Sequence, residues 1–221
     1  MEDVLDLYAE PYDEQYPQVC FDESPVQLMS ETRQPIPARP GQPVRYDYEY
    51  RREGTANLFL FVQPLRGWRH VNVTAHRTKG DFAVQMKELV DVHFPEAEVI
   101  KLVVDNLNTH TPAALYETFA PAEARRITRK LEFHYTPKHG SWLNMAECEF
   151  AVLAKQCLDR RIPATETLCR EIVAWQAARN DNKAMINWRF STTDARITLK
   201  RLYPSVSRGD QLPEMGLIRA A

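Results

Sequence analysis

The feature that most constrains the fold is the stretch Val99–His110, which reads VIKLVVDNLNTH. Its apolar first half is rich in β-branched side chains, a pattern typical of a strand buried on both faces of a sheet. The strand ends at Asp105, and burying a carboxylate is costly unless a cation or hydrogen-bond donors lie beside it. Open α/β sheets also bind ligands beyond the carboxyl ends of their strands. Asp105 therefore either caps the turn before a helix predicted at Pro112 or belongs to a functional site.

Composition narrows the class of protein. The 221 residues suffice for one domain with a sizeable core, and no apolar stretch is long enough to span a membrane. The four cysteines show no CxxC spacing, which favours reduced core thiols and a cytoplasmic protein. The sequence also lacks the glycine-rich motifs that hold nucleotide phosphates.

The net charge of −2 hides an asymmetry between the two parts of the chain. Residues 1–32 contain nine acidic residues and no Lys or Arg, so residues 33–221 carry a net charge of +7. A basic body is compatible with a phosphate-rich partner. We interpret the acidic residues 1–17 as a linker or docking segment without a fold of its own, and residues 205–221 as a flexible tail.

Residues 18–204 are predicted to form an α/β domain. A short strand, Gln18–Asp22, also ends in an aspartate and opens an antiparallel meander. Five prolines between residues 24 and 44 exclude a helix, disfavour a strand and predict a long loop. The other predicted elements are helices over Lys79–Phe94, from Pro112 to about Lys130, from Ser141 to about Leu158 and over Thr165–Arg179, and a strand over Leu131–Tyr135.

The helix predicted to start at Ser141 carries a third carboxylate of interest. Its apolar stripe begins at Leu143, and Glu147 lies at the margin of this stripe, one turn later. Glu149 is predicted to point to solvent on the same helix. Glu132 is predicted to face solvent because residues alternate along its strand.

Three motifs carry a resemblance to a known family. They are CFDESP around Asp22, VVDNLNTH around Asp105, and YTPKHGSWLNMAE, which ends at Glu147. With the element order, they resemble the DDE transposases of bacterial insertion sequences, in the branch related to mariner transposases. The resemblance implies a ribonuclease H-like fold, in which helices flank a mixed five-stranded sheet. It also implies DNA cleavage and strand transfer in cut-and-paste transposition, with two Mg²⁺ or Mn²⁺ ions bound by these three catalytic acids. The alternative is that they are unrelated capping or surface acids.

Further residues are candidates for supporting roles. Asn106, His110 and Asn144 are predicted to orient the metal ligands, whereas the alternative is local capping of turns and helix starts. Lys138 and His139 are predicted to contact nucleic-acid phosphates, against the alternative of a solvated loop. Trp142, which follows this loop, is predicted to belong to the core.

The resemblance also implies partners. DNA is expected as both transposon end and target, and the proline-rich loop of residues 24–44 takes the place of the clamp loop through which mariner-type transposases contact a partner subunit. We therefore expect a homodimer, although the loop alternatively serves only as a surface connection. Family members read DNA ends through an N-terminal helix-turn-helix region, whereas the first catalytic strand here begins at Gln18. End recognition is expected to lie in a separate polypeptide, and the protein to associate with the bacterial nucleoid.

Two other functions stay open at the level of sequence. A truncated, non-catalytic fragment would bind DNA or full-length subunits and act as an inhibitor. A ribonuclease acting on RNA–DNA hybrids would fit the fold, but it would not explain the motif SWLNMAE.

Overall fold

The computed structural model describes residues 1–203, and the predicted tail over residues 205–221 lies outside this range. Its centre is a five-stranded mixed sheet with the strand order β3-β2-β1-β4-β5. The strands are β1 (Gln18–Glu31), β2 (Tyr50–Gln63), β3 (Trp68–Thr74), β4 (Ile100–Val104) and β5 (Leu131–Tyr135). The first three form an antiparallel meander, while β4 runs parallel to β1 and β5 parallel to β4. The predicted ribonuclease H-like sheet is thereby confirmed.

Helices cover both faces of this sheet. They are α1 (Glu2–Ala9), α2 (Lys79–Glu88), α3 (Pro112–Thr118), α4 (Pro121–Arg129), α5 (Met145–Gln156), α6 (Thr165–Asp181) and α7 (Thr192–Thr198). A π-helical turn, Leu89–His93, continues α2, and short 3₁₀ turns occupy Ser141–Leu143 and Lys200–Leu202. One hydrophobic core lies between the sheet and α1, α5, α6 and α7, and a second lies between the sheet and α2, α3 and α4. Within the described residues, no helix is both long and apolar enough to cross a membrane.

The prediction that residues 1–17 lack a fold is wrong for their first half. In α1, the side chains of Val4, Leu5, Leu7 and Tyr8 are buried against the sheet and α7. The Tyr8 hydroxyl donates a hydrogen bond of 2.8 Å to the carbonyl of Leu143. The acidic residues occupy the outer face of α1, so the acidic composition concealed an apolar face with helical spacing.

The proline-rich segment differs from its prediction as well. Strand β1 runs through Pro25 to Glu31, and β2 begins at Tyr50, so the connecting loop covers residues 32–49 rather than 24–44. Strand β4 pairs only with residues 18–20, which leaves Pro25 with a strand neighbour on one side, where a missing N–H is tolerated. Strand β2 contains a β-bulge beside Gly54, which has a φ of +116°. We call residues 24–55 the arm.

Two predictions of burial are wrong. Cys148 is exposed and Cys169 half-buried, so only Cys20 and Cys157 are core thiols, although all four are free. Trp142 is 44% exposed and packs beside Trp188 and Phe190 rather than in the core. Cys148 is exposed because the inner face of α5 runs through Met145, Ala146, Glu149 and Leu153.

Candidate active site

The pairing of β1 with β4 brings two aspartates together beyond the carboxyl end of β4. In this parallel pair Cys20 lies opposite Val103, and Asp22 and Asp105 follow two residues later on their respective strands. Because side chains alternate along a strand, both aspartates fall on the face of Cys20 and Val103, which is covered by α5. Asp22 is only 7% exposed. The two aspartates thus form one pair of carboxylates just beyond the paired residues of β1 and β4.

Asn144 fixes the start of α5 beside this pair. It is the N-cap of the helix, because its side-chain oxygen accepts a hydrogen bond of 3.1 Å from the backbone N–H of Ala146. Its Nδ2 donates to the carbonyl of Phe21 at 2.8 Å, directly before Asp22. Ser141, the predicted cap, instead starts a 3₁₀ turn. The capping alternative for Asn144 is thus observed, and its bond to Phe21 lies next to Asp22, while its role in orienting metal ligands stays a prediction.

Glu147 lies in the first turn of α5 and its side chain is exposed. Burial, together with the negative charges of Glu147 and Asp105, raises the pKa of Asp22 to about 7, although the hydrogen bond from the backbone N–H of Glu23 acts to lower it. Asp22 is therefore close enough to both Glu147 and Asp105 to be affected by their negative charges. An all-oxygen donor set of this charge suits a hard divalent cation such as Mg²⁺ or Mn²⁺.

His110 is fully buried and holds Asp105. Its Nδ1 hydrogen-bonds to Oδ1 of Asp105, and its Nε2 lies 3.6 Å from Oε2 of Glu23. Burial alone would lower the pKa of His110, but these two carboxylates outweigh burial and raise it to about 9. The imidazolium ring packs against Phe21 and Phe82, with ring centroids 5.3 and 5.0 Å away. The side chain of His110 thus orients Asp105 rather than capping the following helix.

The other sequence candidates lie at the surface. Asn106, Lys138 and His139 are exposed and line one depression together with Asp105. Within residues 1–203 no hydrogen bond of the Asn106 side chain is present, so the structure gives no support to its predicted orienting role. The loop that carries Lys138 turns tightly, so that a Cβ on Gly140 would lie only 2.6 Å from the Pro137 side chain. Glycine is therefore the residue that fits at this position.

The prediction that Glu149 points to solvent is wrong. Its side chain is 1% exposed and accepts two hydrogen bonds from Arg179, at 2.6 and 2.9 Å. Nε of the fully buried Arg69 lies 2.9 Å from the same carboxylate. The inner face of α5 therefore runs through Met145, Ala146, Glu149 and Leu153, and a buried arginine on β3 is the missing partner that a helical wheel cannot reveal. Glu132 is exposed, as predicted.

Glu23 is the residue of this site that sequence reasoning missed. By alternation it faces the side of the sheet opposite to Asp22, and its side chain is 5% exposed. It lies 3.7 Å from Arg77 as well as near His110. The adjacent acids in the motif CFDESP are the available signal, because alternation sends two neighbouring acids on a strand to opposite faces.

A family model described as DDE superfamily endonuclease matches residues 17–169, a range that contains Asp22, Asp105 and Glu147. The chain belongs to the DDE superfamily endonucleases. No curated protein matched the chain. For this DDE endonuclease, the elements that carry the three acids all lie inside the matched range.

Solved structures share the fold of this DDE endonuclease. A Mos1 transposase paired-end complex with the left transposon end superposes with a TM-score of 0.55 at 17% identity, over 77% of this chain and 50% of that chain. A Mos1 mariner paired-end complex with Mn gives 0.57 at 16% identity, over 82% and 54%. The Mos1 strand transfer complex gives 0.53 at 16% identity, over 77% and 52%. The DDE endonuclease described here spans about half the length of these transposases.

Proposed function

We propose that this chain is the catalytic domain of a DNA transposase, which cleaves DNA strands and transfers them in cut-and-paste transposition. The observation that carries the proposal is the convergence of Asp22, Asp105 and Glu147 at one edge of the sheet in a DDE endonuclease domain. The Mos1 complexes with transposon ends, with Mn and after strand transfer support the same reaction class for this fold.

The three acids hold two divalent ions, Mg²⁺ or Mn²⁺, in this proposal. When bound, such ions activate the attacking oxygen and stabilise the leaving oxygen of an in-line displacement at phosphorus. Asp22 would be the central carboxylate of this set, and Asp105 and Glu147 would supply the other ligands. His110 fixes one oxygen of Asp105 and leaves the other free for a metal, as outer partners of metal ligands commonly do.

DNA reaches the acids along the surface that carries Lys138 and His139. Both side chains are exposed and line the same depression as Asp105, which suits contacts to phosphates next to the scissile bond. The protein works on the DNA of the bacterial nucleoid, in the cytoplasm. The DNA substrate comprises both transposon ends and target.

A cleavage assay tests the proposal. The wild-type chain should nick labelled duplex DNA with Mn²⁺, and Glu147→Gln should abolish nicking while leaving the circular dichroism spectrum unchanged. Glu132→Gln is the matched control, because Glu132 is an exposed glutamate on β5 outside the group of acids, and this variant should cleave normally. Equal cleavage by Glu147→Gln and wild type would reject the site. DNA binding without cleavage by a folded, Mn²⁺-loaded wild type would favour a non-catalytic inhibitor.

The arm is proposed to dock on a second copy of the chain. Its tip exposes aromatic side chains: Tyr46 is 62% and Tyr48 97% exposed. Prolines along residues 35–43 reduce the entropy that an extended segment loses on docking. Ile36 and Arg45 face each other as an antiparallel bridge, so residues 37–44 can be replaced by Asn-Gly without opening the arm.

Sedimentation over a concentration series tests this docking. The wild type should self-associate, and the shortened variant should remain a folded monomer. Identical profiles for the two proteins would show that residues 37–44 make no contact between copies.

A further inference from the structure

Two histidines and a glutamate converge at the sheet edge farthest from β5. His70 lies on β3, Glu88 is the last residue of α2, and His93 ends the π-helical turn. One ligand atom from each residue lies within 4.8 Å of the others. This group is separate from the catalytic acids, because β3 is two strands away from β1 and the group faces the α2 side of the sheet.

The π-helical turn is what brings two of these side chains together. In an α-helix, residues five apart point about 140° away from each other around the axis. Glu88 and His93 are five apart, and the wider π-helical turn that follows Glu88 is accompanied by an approach of 3.5 Å between Oε1 of Glu88 and Nε2 of His93. Such π-turns are rare and occur frequently at functional sites. The local backbone is therefore shaped to converge these two ligands on His70.

The imidazole nitrogens point at one oxygen and have no hydrogen-bond partner. Nε2 of His70 lies 3.3 Å, and Nε2 of His93 3.5 Å, from Oε1 of Glu88. Both nitrogens are buried and neither forms a hydrogen bond with any of residues 1–203. Ligands with bonds of 2.0–2.1 Å to a tetrahedral Zn²⁺ lie about 3.3 Å apart, which matches both separations.

The surroundings hold the three side chains in place. Asn72 donates from Nδ2 to Oε2 of Glu88 at 2.7 Å, which leaves Oε1 directed at the imidazoles. Trp68 packs on both rings, with centroids 6.4 Å from His70 and 5.0 Å from His93. Fixed ligands with an outer hydrogen-bonding partner are the mark of a metal site rather than of a chance surface cluster.

We propose that His70, Glu88 and His93 bind one Zn²⁺ ion that links the edge strand β3 to the end of α2. Two imidazoles and one carboxylate form a common zinc donor set, with water in the fourth position. The same set is unsuited to Mg²⁺, which prefers six oxygen ligands. The site would therefore stay selective for zinc beside magnesium-loaded catalytic acids.

Equilibrium dialysis against Zn²⁺ in excess Mg²⁺ tests the proposal, with bound zinc counted by mass spectrometry. Folded His93→Gln should bind one Zn²⁺ fewer than wild type and should lose the rise in Tm that Zn²⁺ produces. His134→Gln is the matched control, because His134 also sits between two acids, but each of its nitrogens faces a different carboxylate, from Asp3 and Glu132. This control should keep the zinc count of wild type.

Co²⁺ substitution keeps the test decisive if His93→Gln fails to fold. Wild-type protein with Co²⁺ and excess Mg²⁺ should show the strong visible absorption of four-coordinate cobalt. Zinc counts that are equal in wild type and folded His93→Gln, or a wild-type spectrum as weak as that of six-coordinate cobalt, would overturn the proposal. Neither the zinc count nor the cobalt spectrum depends on catalytic activity.

Discussion

The side-chain amide of Asn144 donates a hydrogen bond of 2.8 Å to the carbonyl oxygen of Phe21. This contact joins two segments more than a hundred residues apart in the chain. It ties the start of the helix that carries Glu147 to the strand that carries Asp22, so the distance between two proposed metal ligands depends on one buried amide.

Asn144→Ala should lower the free energy of unfolding by about 1–3 kcal/mol, because it removes an N-cap and leaves the Phe21 carbonyl without this donor. Asn144→Asp keeps the capping oxygen but loses the donor, so it separates the two roles. We expect both variants to cleave DNA more slowly than wild type under conditions in which each is fully folded. Urea unfolding and cleavage rates measure the two effects, and normal cleavage by Asn144→Asp would show that the link to Phe21 does not set the site.

Glu149→Gln should destabilise the fold by about 3–5 kcal/mol, since it leaves two arginines around a buried position without their countercharge. The fully buried Arg69 is the more affected partner. Glu147→Gln, two residues earlier, should unfold at the same urea concentration as wild type or a higher one in the absence of metal. Equal unfolding midpoints for Glu149→Gln and wild type would mean that this ion pair contributes nothing to stability.

The stability of the metal-free protein should depend on Asp22. Its pKa is raised from 3.8 to about 7 by burial and by the neighbouring charges of Glu147 and Asp105. A raised carboxyl pKa means that the folded state keeps a proton that the unfolded state has lost. The contribution of Asp22 to stability is thus complete below pH 4 and is lost as the pH rises to 7, by at most about 4 kcal/mol at 1.36 kcal/mol per pKa unit.

Other groups also make stability depend on pH, and the lowered pKa of a surface acid such as Glu123 acts in the opposite direction. Comparing Asp22→Asn with wild type cancels these contributions and leaves that of Asp22. We expect the variant to be more stable than wild type at pH 8 without metal and equal to it at pH 4. Mg²⁺ should stabilise only the wild type. The measurement is thermal unfolding across this pH range, and a constant difference between the two proteins at all pH values would contradict the assignment.

His110→Phe should weaken metal-dependent cleavage by about 10–100-fold, the usual cost of losing an outer partner of a metal ligand. The phenyl ring can still pack against Phe82, so the variant separates orientation of Asp105 from packing. Titration of cleavage with Mn²⁺ should show a higher metal requirement. His76→Phe serves as control because His76 is exposed. An unchanged Mn²⁺ requirement in His110→Phe would show that Asp105 is positioned without the imidazole.

DNA binding by this chain should be weak, independent of sequence and steeply dependent on salt, since the body of the protein is basic. Lys138→Ala should reduce the slope of log affinity against log salt by about 1 if Lys138 contacts a phosphate. Lys130→Ala is the control, because Lys130 precedes β5, at the end opposite to Lys138, and donates to the carbonyl of Pro95. Fluorescence anisotropy at several salt concentrations gives the slopes. Selective, tight binding to one short duplex would contradict this prediction.

The sequence predicts most of the helices and strands and their order along the chain from local patterns, whereas the resemblance to DDE transposases implies that the three acids meet. A buried apolar run that ends in Asp105 can be recognised from the residues of the run alone. The environment of Glu149 is not, because its burial depends on Arg69, eighty residues earlier, and a helical wheel treats every carboxylate as a surface group. The strand through Pro25 was missed for a similar reason: whether a proline is tolerated depends on whether that stretch has one neighbour or two.

The continuity of β1 fixes the distance between Asp22 and the tip of the arm. One uninterrupted strand carries Asp22 and then runs on to Glu31 at the base of the arm tip, a span of about 30 Å at the rise of a β-strand. Whatever the tip holds is therefore kept at a set spacing from the carboxylates. Inserting two residues into the strand would lengthen this spacing by about 7 Å and keep each later side chain on its face of the sheet. Inserting one residue would move every later side chain to the opposite face.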